Sequence, residues 1–166
     1  MKGQTIVEVA VALGIGVIIL TASTLIIITS LTNSQQGAAI NSGTDTAQSG
    51  LEIVRHTRDS DFTAFSALSG NYCLADTCSV VTSQSGSCGP KNSACGANVA
   101  SKFSREVAIS QNDSSCRPST PVAGARYTKA TLTVAWTDSK CVSSLTNCHS
   151  LQIESCLSNY TARPTP

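Results

Sequence analysis

One acidic side chain stands at the edge of a long uncharged stretch. Glu8 is followed by 36 residues, from Val9 to Thr44, that contain no Asp, Glu, Lys or Arg. A carboxylate beside an apolar span is costly to desolvate, so such a residue is a candidate for function. The alternative is that Glu8 only favours the positive end of a helix and reaches the lipid headgroups.

The apolar run behind Glu8 predicts a membrane anchor. Val9 to Leu31 is a run of 23 uncharged residues rich in Ile, Val, Leu and Ala, and about 20 such residues span a bilayer core as a helix. A secretory signal peptide would have a shorter run ending at an A-x-A-like site, which residues 30–36 lack. With Lys2 in front, the remainder of the chain is expected outside.

The residues around Glu8 carry a family resemblance. The string from Lys2 to Val9 resembles the class III signal of type IV pilins and pseudopilins, in which a prepilin peptidase cuts after a Gly and a Glu is mature residue five. The resemblance implies cleavage between Gly3 and Gln4, with Glu8 as the assembly residue. In this family the new amino terminus is often methylated, and Gln4 stands where Phe or Met is usual.

The resemblance also implies partners and a location. Cleavage would free an α-amine on Gln4, and pairing it with the Glu8 carboxylate of a neighbouring subunit would offset two charges in apolar surroundings. The implied partners are identical or homologous pilin subunits, the prepilin peptidase and an inner-membrane assembly platform. The precursor would sit in the inner (cytoplasmic) membrane, and the mature subunit in an extracellular pilus or a cell-envelope filament.

Beyond the apolar run, the pattern becomes that of an amphipathic helix. Apolar or small residues recur at intervals of four and three, which places them on one helix face: Ile40, Thr44, Ala47, Leu51 and Val54. The first proline is Pro90, so nothing forces a break before it. We expect one helix from about Thr5 to Arg58; the alternative is an anchor, a loop near residues 33–37 and a separate helix.

The last third of the sequence predicts β-strands. Tyr127–Thr137 alternates, with Leu132 and Trp136 among the apolar positions of one face, and Ser150–Tyr160 would form the second strand of a hairpin. A third strand is expected from Phe103 to Ile109. The Trp136 face should lie on the helix stripe. The predicted fold class is α+β, a long N-terminal helix packed on a small antiparallel sheet, which is the pilin-like arrangement.

These elements divide the chain into four parts. We predict a leader at 1–3, a transmembrane and assembly half of the helix at 4–33, an amphipathic half at 34–62, and a Cys-rich head at 63–166. The head ends in the β-hairpin.

The eight cysteines predict disulfides. Their spacings lack the close C-x₂-C pairs of structural zinc sites, and an exported domain favours oxidation. Eight cysteines allow 105 pairings, so the sequence does not settle the connectivity. Closeness in sequence suggests three local pairs, and elimination leaves one long-range bridge: Cys73–Cys78, Cys88–Cys95, Cys141–Cys148 and Cys116–Cys156.

No residue pattern predicts an enzyme. His56 lies among charged residues at the end of the predicted helix, where a surface position is expected. Cys148 and His149 are adjacent, and neighbours in a strand point to opposite faces, which suits a nucleophile and its base poorly. The chain has no nucleophile elbow, H-E-x-x-H or P-loop. We therefore expect no catalytic residue, no metal and no cofactor, and the net charge of +1 gives no indication of nucleic acid.

Two functions remain open from the sequence. The first is a structural subunit, a pilin or a minor pilin or pseudopilin, of a type IV pilus or related secretion filament. The alternative is a single-pass, membrane-anchored, disulfide-rich exported module for adhesion or binding, for which no trimming of the amino terminus is expected.

Overall fold

The computed structural model describes residues 4–120, 125–138, 141 and 148–158. The elements in chain order are helix α1 (Gln4–Ser60), helix α2 (Phe62–Ala67), strand β1 (Gly70–Cys73), strand β2 (Phe103–Gln111), a short 3₁₀ helix (Ser114–Cys116), strand β3 (Tyr127–Trp136) and strand β4 (His149–Ser158). The chain divides into two compact units, Met1–Asn41 and Ser42–Pro166, and α1 contributes residues to both.

Helix α1 is continuous over 57 residues. The alternative of a loop near residues 33–37 followed by a separate helix is therefore wrong. The helix ends at Ser60, and Asp61 then caps α2, accepting a 3.0 Å hydrogen bond from the Ala64 amide on its side-chain Oδ1. The predicted leader, residues 1–3, lies outside the described residues.

The second unit contains a four-stranded antiparallel sheet in the order β1-β2-β3-β4. The register places Leu132 of β3 between Val107 of β2 and Ile153 of β4. The three predicted strands are confirmed, except that residues 159 and 160 of the last prediction lie outside the described residues. Strand β1 was not predicted, because its four residues are too few to show an alternating pattern.

The core of this unit lies between α1 and one face of the sheet. Val54 and Leu132 are fully buried, and Leu51 is 8% exposed. The two surfaces approach closely: a Cβ built on Gly50 would lie 2.7 Å from Leu132 Cδ2, and one on Gly43 would lie 3.2 Å from the Trp136 ring. Both glycines are thus sites of close packing, and the predicted α+β arrangement of helix on sheet is confirmed.

A buried arginine joins the helix, the sheet and a loop. Arg105 of β2 is 3% exposed. Its guanidinium donates to Ser49 Oγ at 2.6 Å and the Thr46 carbonyl at 3.1 Å on α1, and to the Leu74 and Ala75 carbonyls at 3.0 Å each. Burial lowers the pKa of Arg105, and the nearby Asp76 carboxylate opposes that shift. The planar guanidinium of Arg carries five N–H donors and reaches all four acceptors, whereas the ammonium group of a Lys has only three donors.

Two of the four predicted disulfides are wrong. The structure joins Cys73 to Cys95 and Cys78 to Cys88, so the predicted pairs Cys73–Cys78 and Cys88–Cys95 do not form. The reason is that this segment folds back on itself: the Cys73 amide donates to the Gly89 carbonyl, and the Ala75 amide donates to that of Ser87. An antiparallel fold-back nests one pair inside the other, whereas the prediction had placed them one after the other.

The other two predicted disulfides agree with the structure. Cys116, in the 3₁₀ helix, bonds to Cys156 of β4, and Cys141 bonds to Cys148 across the end of the β3–β4 hairpin. All eight cysteines are therefore paired.

Candidate functional site

The N-terminal part of α1 carries a single charged side chain. Glu8 is exposed on the second turn of the helix. Gln4 begins the helix, and its side chain, like all of Gly3, lies outside the described residues. The structure therefore places Glu8 one turn beyond the predicted cleavage point, and the cleavage itself remains a prediction.

This part of the helix exposes its own large apolar side chains on every side. Fifteen large ones are each between 53% and 72% exposed. They are Ile6, Val7, Val9, Val11, Leu13, Ile15, Val17, Ile18, Ile19, Leu20, Leu25, Ile26, Ile27, Ile28 and Leu31. Runs such as residues 17–20 and 25–28 cover every direction of a 3.6-residue turn. A helix that is apolar all round requires apolar surroundings on all sides.

Five hydroxyl groups in and next to this segment donate hydrogen bonds within the helix. Thr24 and Ser23 each donate to the carbonyl four residues before, at 2.5 and 2.8 Å. Thr21, Thr29 and Thr32 do the same at 2.7 to 3.0 Å. Since these hydroxyls need no outside partner, their presence adds little to the cost of apolar surroundings.

By length and composition, α1 is able to cross a membrane, and none of its most apolar window is buried within the chain. The four disulfides and the antiparallel sheet lie in the second unit. Together these observations are consistent with a membrane-anchored, disulfide-rich α+β protein.

Two glycines in the apolar segment leave space beside the helix backbone. A Cβ built on Gly14 or Gly16 would meet nothing within 4 Å. The two residues leave the backbone of α1 uncovered along a short part of its apolar segment, and small residues at such positions let helix backbones approach closely.

The charged end of α1 forms local ion pairs. His56 is exposed, as predicted for a surface residue. Arg55 contacts Glu52 at 2.5 Å, and Arg58 contacts Asp59 at 2.7 Å. The hydrogen bond from Arg58 lowers the pKa of the Asp59 carboxyl. These pairs are exposed and give this helix end a solvated surface.

Cys148 and His149, which are predicted from the sequence to be poorly placed as a nucleophile and its base, each have a different partner in the structure. Cys148 is bonded to Cys141, so its sulfur is no free nucleophile in this state. His149 instead contacts Asp138, with 2.9 Å between Nε2 and Oδ2, and its ring stacks on Trp136 with centroids 5.6 Å apart. The ligand-type atoms of Asp138, Cys141, Cys148 and His149 all lie within 4.8 Å of one another.

An open surface depression of about 250 Å³ borders the Cys73–Cys95 disulfide. Its polar groups come from serine and asparagine. Asn98 already exchanges two hydrogen bonds with the Arg105 backbone. The residues that line the depression include no acidic or basic side chain and no free thiol.

No family model, curated protein or solved structure matches the chain. Two features of the structure escaped the sequence analysis, the tie made by Arg105 and the contact between Asp138 and His149. The alternation of β2 could have pointed to Arg105, since Arg105 shares a strand face with Phe103 and Val107. A charged residue at an inward position predicts a buried partner.

Proposed function

We propose that the chain is a structural subunit, a pilin or a minor pilin or pseudopilin, of a type IV pilus or related secretion filament. A prepilin peptidase cuts the membrane-inserted precursor between Gly3 and Gln4. The subunit then assembles with identical or homologous subunits through the apolar part of α1. The observation that carries this proposal is an exposed helix segment that is apolar on every side and has Glu8 as its one charge.

The all-round distribution of apolar side chains supports the need for several neighbours. A helix with a single apolar stripe buries it against one surface. The segment from Ile6 to Leu31 would leave most of its surface exposed against one partner of that kind. A lipid bilayer before assembly and a bundle of like helices afterwards each surround it completely.

Glu8 supports a filament over a plain anchor. Inside a helix bundle its carboxylate loses water, and an unpaired buried charge costs several kcal/mol, by order of magnitude. Cleavage would create the missing cation, the α-amine of Gln4, one helical turn away along the chain. Pairing that amine with Glu8 of a neighbour would set the axial position of one subunit against the next.

The composition of the second unit supports an exported location. Its four disulfides are typical of oxidising compartments. The outward face of its sheet carries polar contacts, among them Lys129 with Glu154 at 2.9 Å and Gln152 with Thr133 at 3.1 Å. Such a face suits an aqueous surface on the outside of a fibre or a cell.

Intact-mass measurement of the chain in sheared surface fibres tests the cleavage. We expect the mass of a chain that begins at Gln4. A chain that keeps Met1 to Gly3, or one found only in the membrane fraction, would support the anchored adhesion or binding module instead.

Replacing Glu8 tests the assembly step. Glu8→Gln removes the charge and keeps the shape, and we expect it to abolish or strongly reduce fibres while the precursor still inserts. Glu52→Gln is the matched control, since Glu52 is exposed at the other end of the same helix. Fibre yield equal to wild type in Glu8→Gln would contradict the proposal.

A further inference from the structure

We propose that the end of the β3–β4 hairpin is a zinc-type cation site whenever Cys141 and Cys148 are thiols. The four ligands are Asp138, Cys141, Cys148 and His149. The inference goes beyond the filament function and does not depend on it.

The ligand set matches the preferences of zinc. Zn²⁺ takes four ligands in a tetrahedron, drawn from thiolate sulfur, imidazole nitrogen and carboxylate oxygen. The cluster offers one such atom from each of four residues, all within 4.8 Å of one another. With Zn–S of about 2.3 Å and Zn–N of about 2.0 Å, the ligand atoms of a tetrahedral site lie roughly 3.3 to 3.8 Å apart. To reach this spacing the S–S bond must open, the two sulfurs must move apart and the other ligand atoms must come slightly closer.

The sheet holds one ligand of the site, His149, and places it beside Asp138. His149 is the first residue of β4 and pairs in register with Trp136, the last residue of β3. Its ring lies over the indole at an interplanar angle of 24°, and its Nε2 lies 2.9 Å from Asp138 Oδ2. Strand register therefore fixes the position of His149, and Asp138 lies beside it two residues beyond the end of β3. A cation bound to these two residues would need only the two sulfurs to complete its shell.

The two states of the cysteines exclude one another. When Zn²⁺ binds, the two thiols lose two protons to solvent and become thiolates, while His149 binds as neutral imidazole and Asp138 as carboxylate. In the disulfide neither sulfur carries the thiolate charge that zinc requires. Every cysteine is synthesised as a thiol and is oxidised only in an oxidising compartment, so the cation form belongs to the chain before oxidation.

Cobalt(II) is the probe for the experiment, because it binds at zinc sites and its coordination by thiolate gives a charge-transfer absorption band. The full-length chain in detergent is reduced with a phosphine, which takes oxygen from water and leaves two thiols for each disulfide. We expect one Co²⁺ per chain with thiolate-to-cobalt absorption, displaced by one equivalent of Zn²⁺. The oxidised chain is expected to show no such absorption.

Matched variants locate the site among eight reduced thiols. In the Cys141→Ser, Cys148→Ser double variant we expect this absorption to be lost, and in Cys73→Ser, Cys95→Ser we expect it to remain. His149→Gln and Asp138→Asn should each weaken the binding, by roughly 10-fold or more for a lost contact to the metal. Absence of binding in the reduced wild type, or equal binding in the Cys141→Ser, Cys148→Ser variant, would overturn the proposal.

Discussion

The two parts of α1 distribute their apolar side chains in different ways. From Ile6 to Leu31 large apolar residues are exposed on every side of the helix, and from Ser42 to Ser60 they form one stripe that is buried on the sheet. The stripe has its partner within the chain, because Gly50 and Val54 lie against the sheet core. The segment that is apolar all round has no such partner among the described residues. One helix thus contains a stripe that packs within the chain and a segment whose apolar side chains are exposed on every side.

The largest expected effect concerns the disulfides of the second unit. Removing the Cys116–Cys156 bridge, which spans 40 residues, with two alanines should cost about 4 kcal/mol in the chain-entropy model, against about 2.5 kcal/mol for the Cys141–Cys148 bridge. Denaturant unfolding followed by fluorescence of Trp136, the single tryptophan, measures both. Equal losses for the two bridges would contradict loop length as the cause.

A pair of leucines on the same helix tests the comparison directly. Leu51 is 8% exposed and Leu20 is 70% exposed. Leu51→Ala should destabilise the second unit by about 2 to 4 kcal/mol because it leaves a cavity. Leu20→Ala should leave the unfolding midpoint seen by Trp136 unchanged. A similar loss in both variants would mean that the two parts of α1 do not differ as described.

Two glycines give a smaller and sharper contrast. Gly50→Ala places a methyl group 2.7 Å from Leu132 Cδ2, whereas Gly37→Ala meets nothing within 4 Å. Overpacking of about 1 to 3 kcal/mol, less the gain of about 1 kcal/mol in helix propensity, should leave Gly50→Ala destabilised by about 1 kcal/mol. Gly37→Ala should leave the Trp136 midpoint unchanged, because position 37 is helical and belongs to the first unit. A stabilised Gly50→Ala would show that the helix can move away from the sheet at no cost.

The smallest expected effect is a pH dependence in the second unit. Hydrogen bonds from the Ser115 hydroxyl and amide lower the pKa of Asp113. A lowered folded-state pKa gives stability that is present above the ordinary value and is lost as the pH falls through the folded value, so the loss occurs below about pH 4. In unfolding titrations Asp113→Asn should be less stable than wild type at pH 7 and should approach it at low pH. A constant difference between them would contradict the assignment.

Regular patterns made much of the fold predictable. The alternation in β3 and the absence of proline before Pro90 correctly gave the sheet face and the continuous helix. The stripe failed at Ile40, which is 43% exposed and belongs to the first unit. The helical repeat of apolar residues shows which face of the helix is apolar, but it does not show how far along the helix the sheet extends.

Contacts between distant residues were much less predictable. The nested pairing of Cys73 with Cys95 depends on a fold-back held by backbone hydrogen bonds, and backbone groups are the same in every residue. The tie from Arg105 to Thr46 spans 59 residues and likewise has no local pattern. At the candidate site, Glu8 was predicted from composition and spacing alone, and its role in assembly stays a prediction.

The threonine and serine side chains of the apolar segment have a consequence for movement between environments. Thr24 and Ser23 carry their hydrogen-bond acceptors with them on the preceding turn. Transfer of these residues from one apolar environment to another therefore breaks no hydrogen bond at these positions. Under the proposed filament function, the Glu8 carboxylate would then be the group of this segment whose polar partner changes when the subunit leaves or re-enters the bilayer.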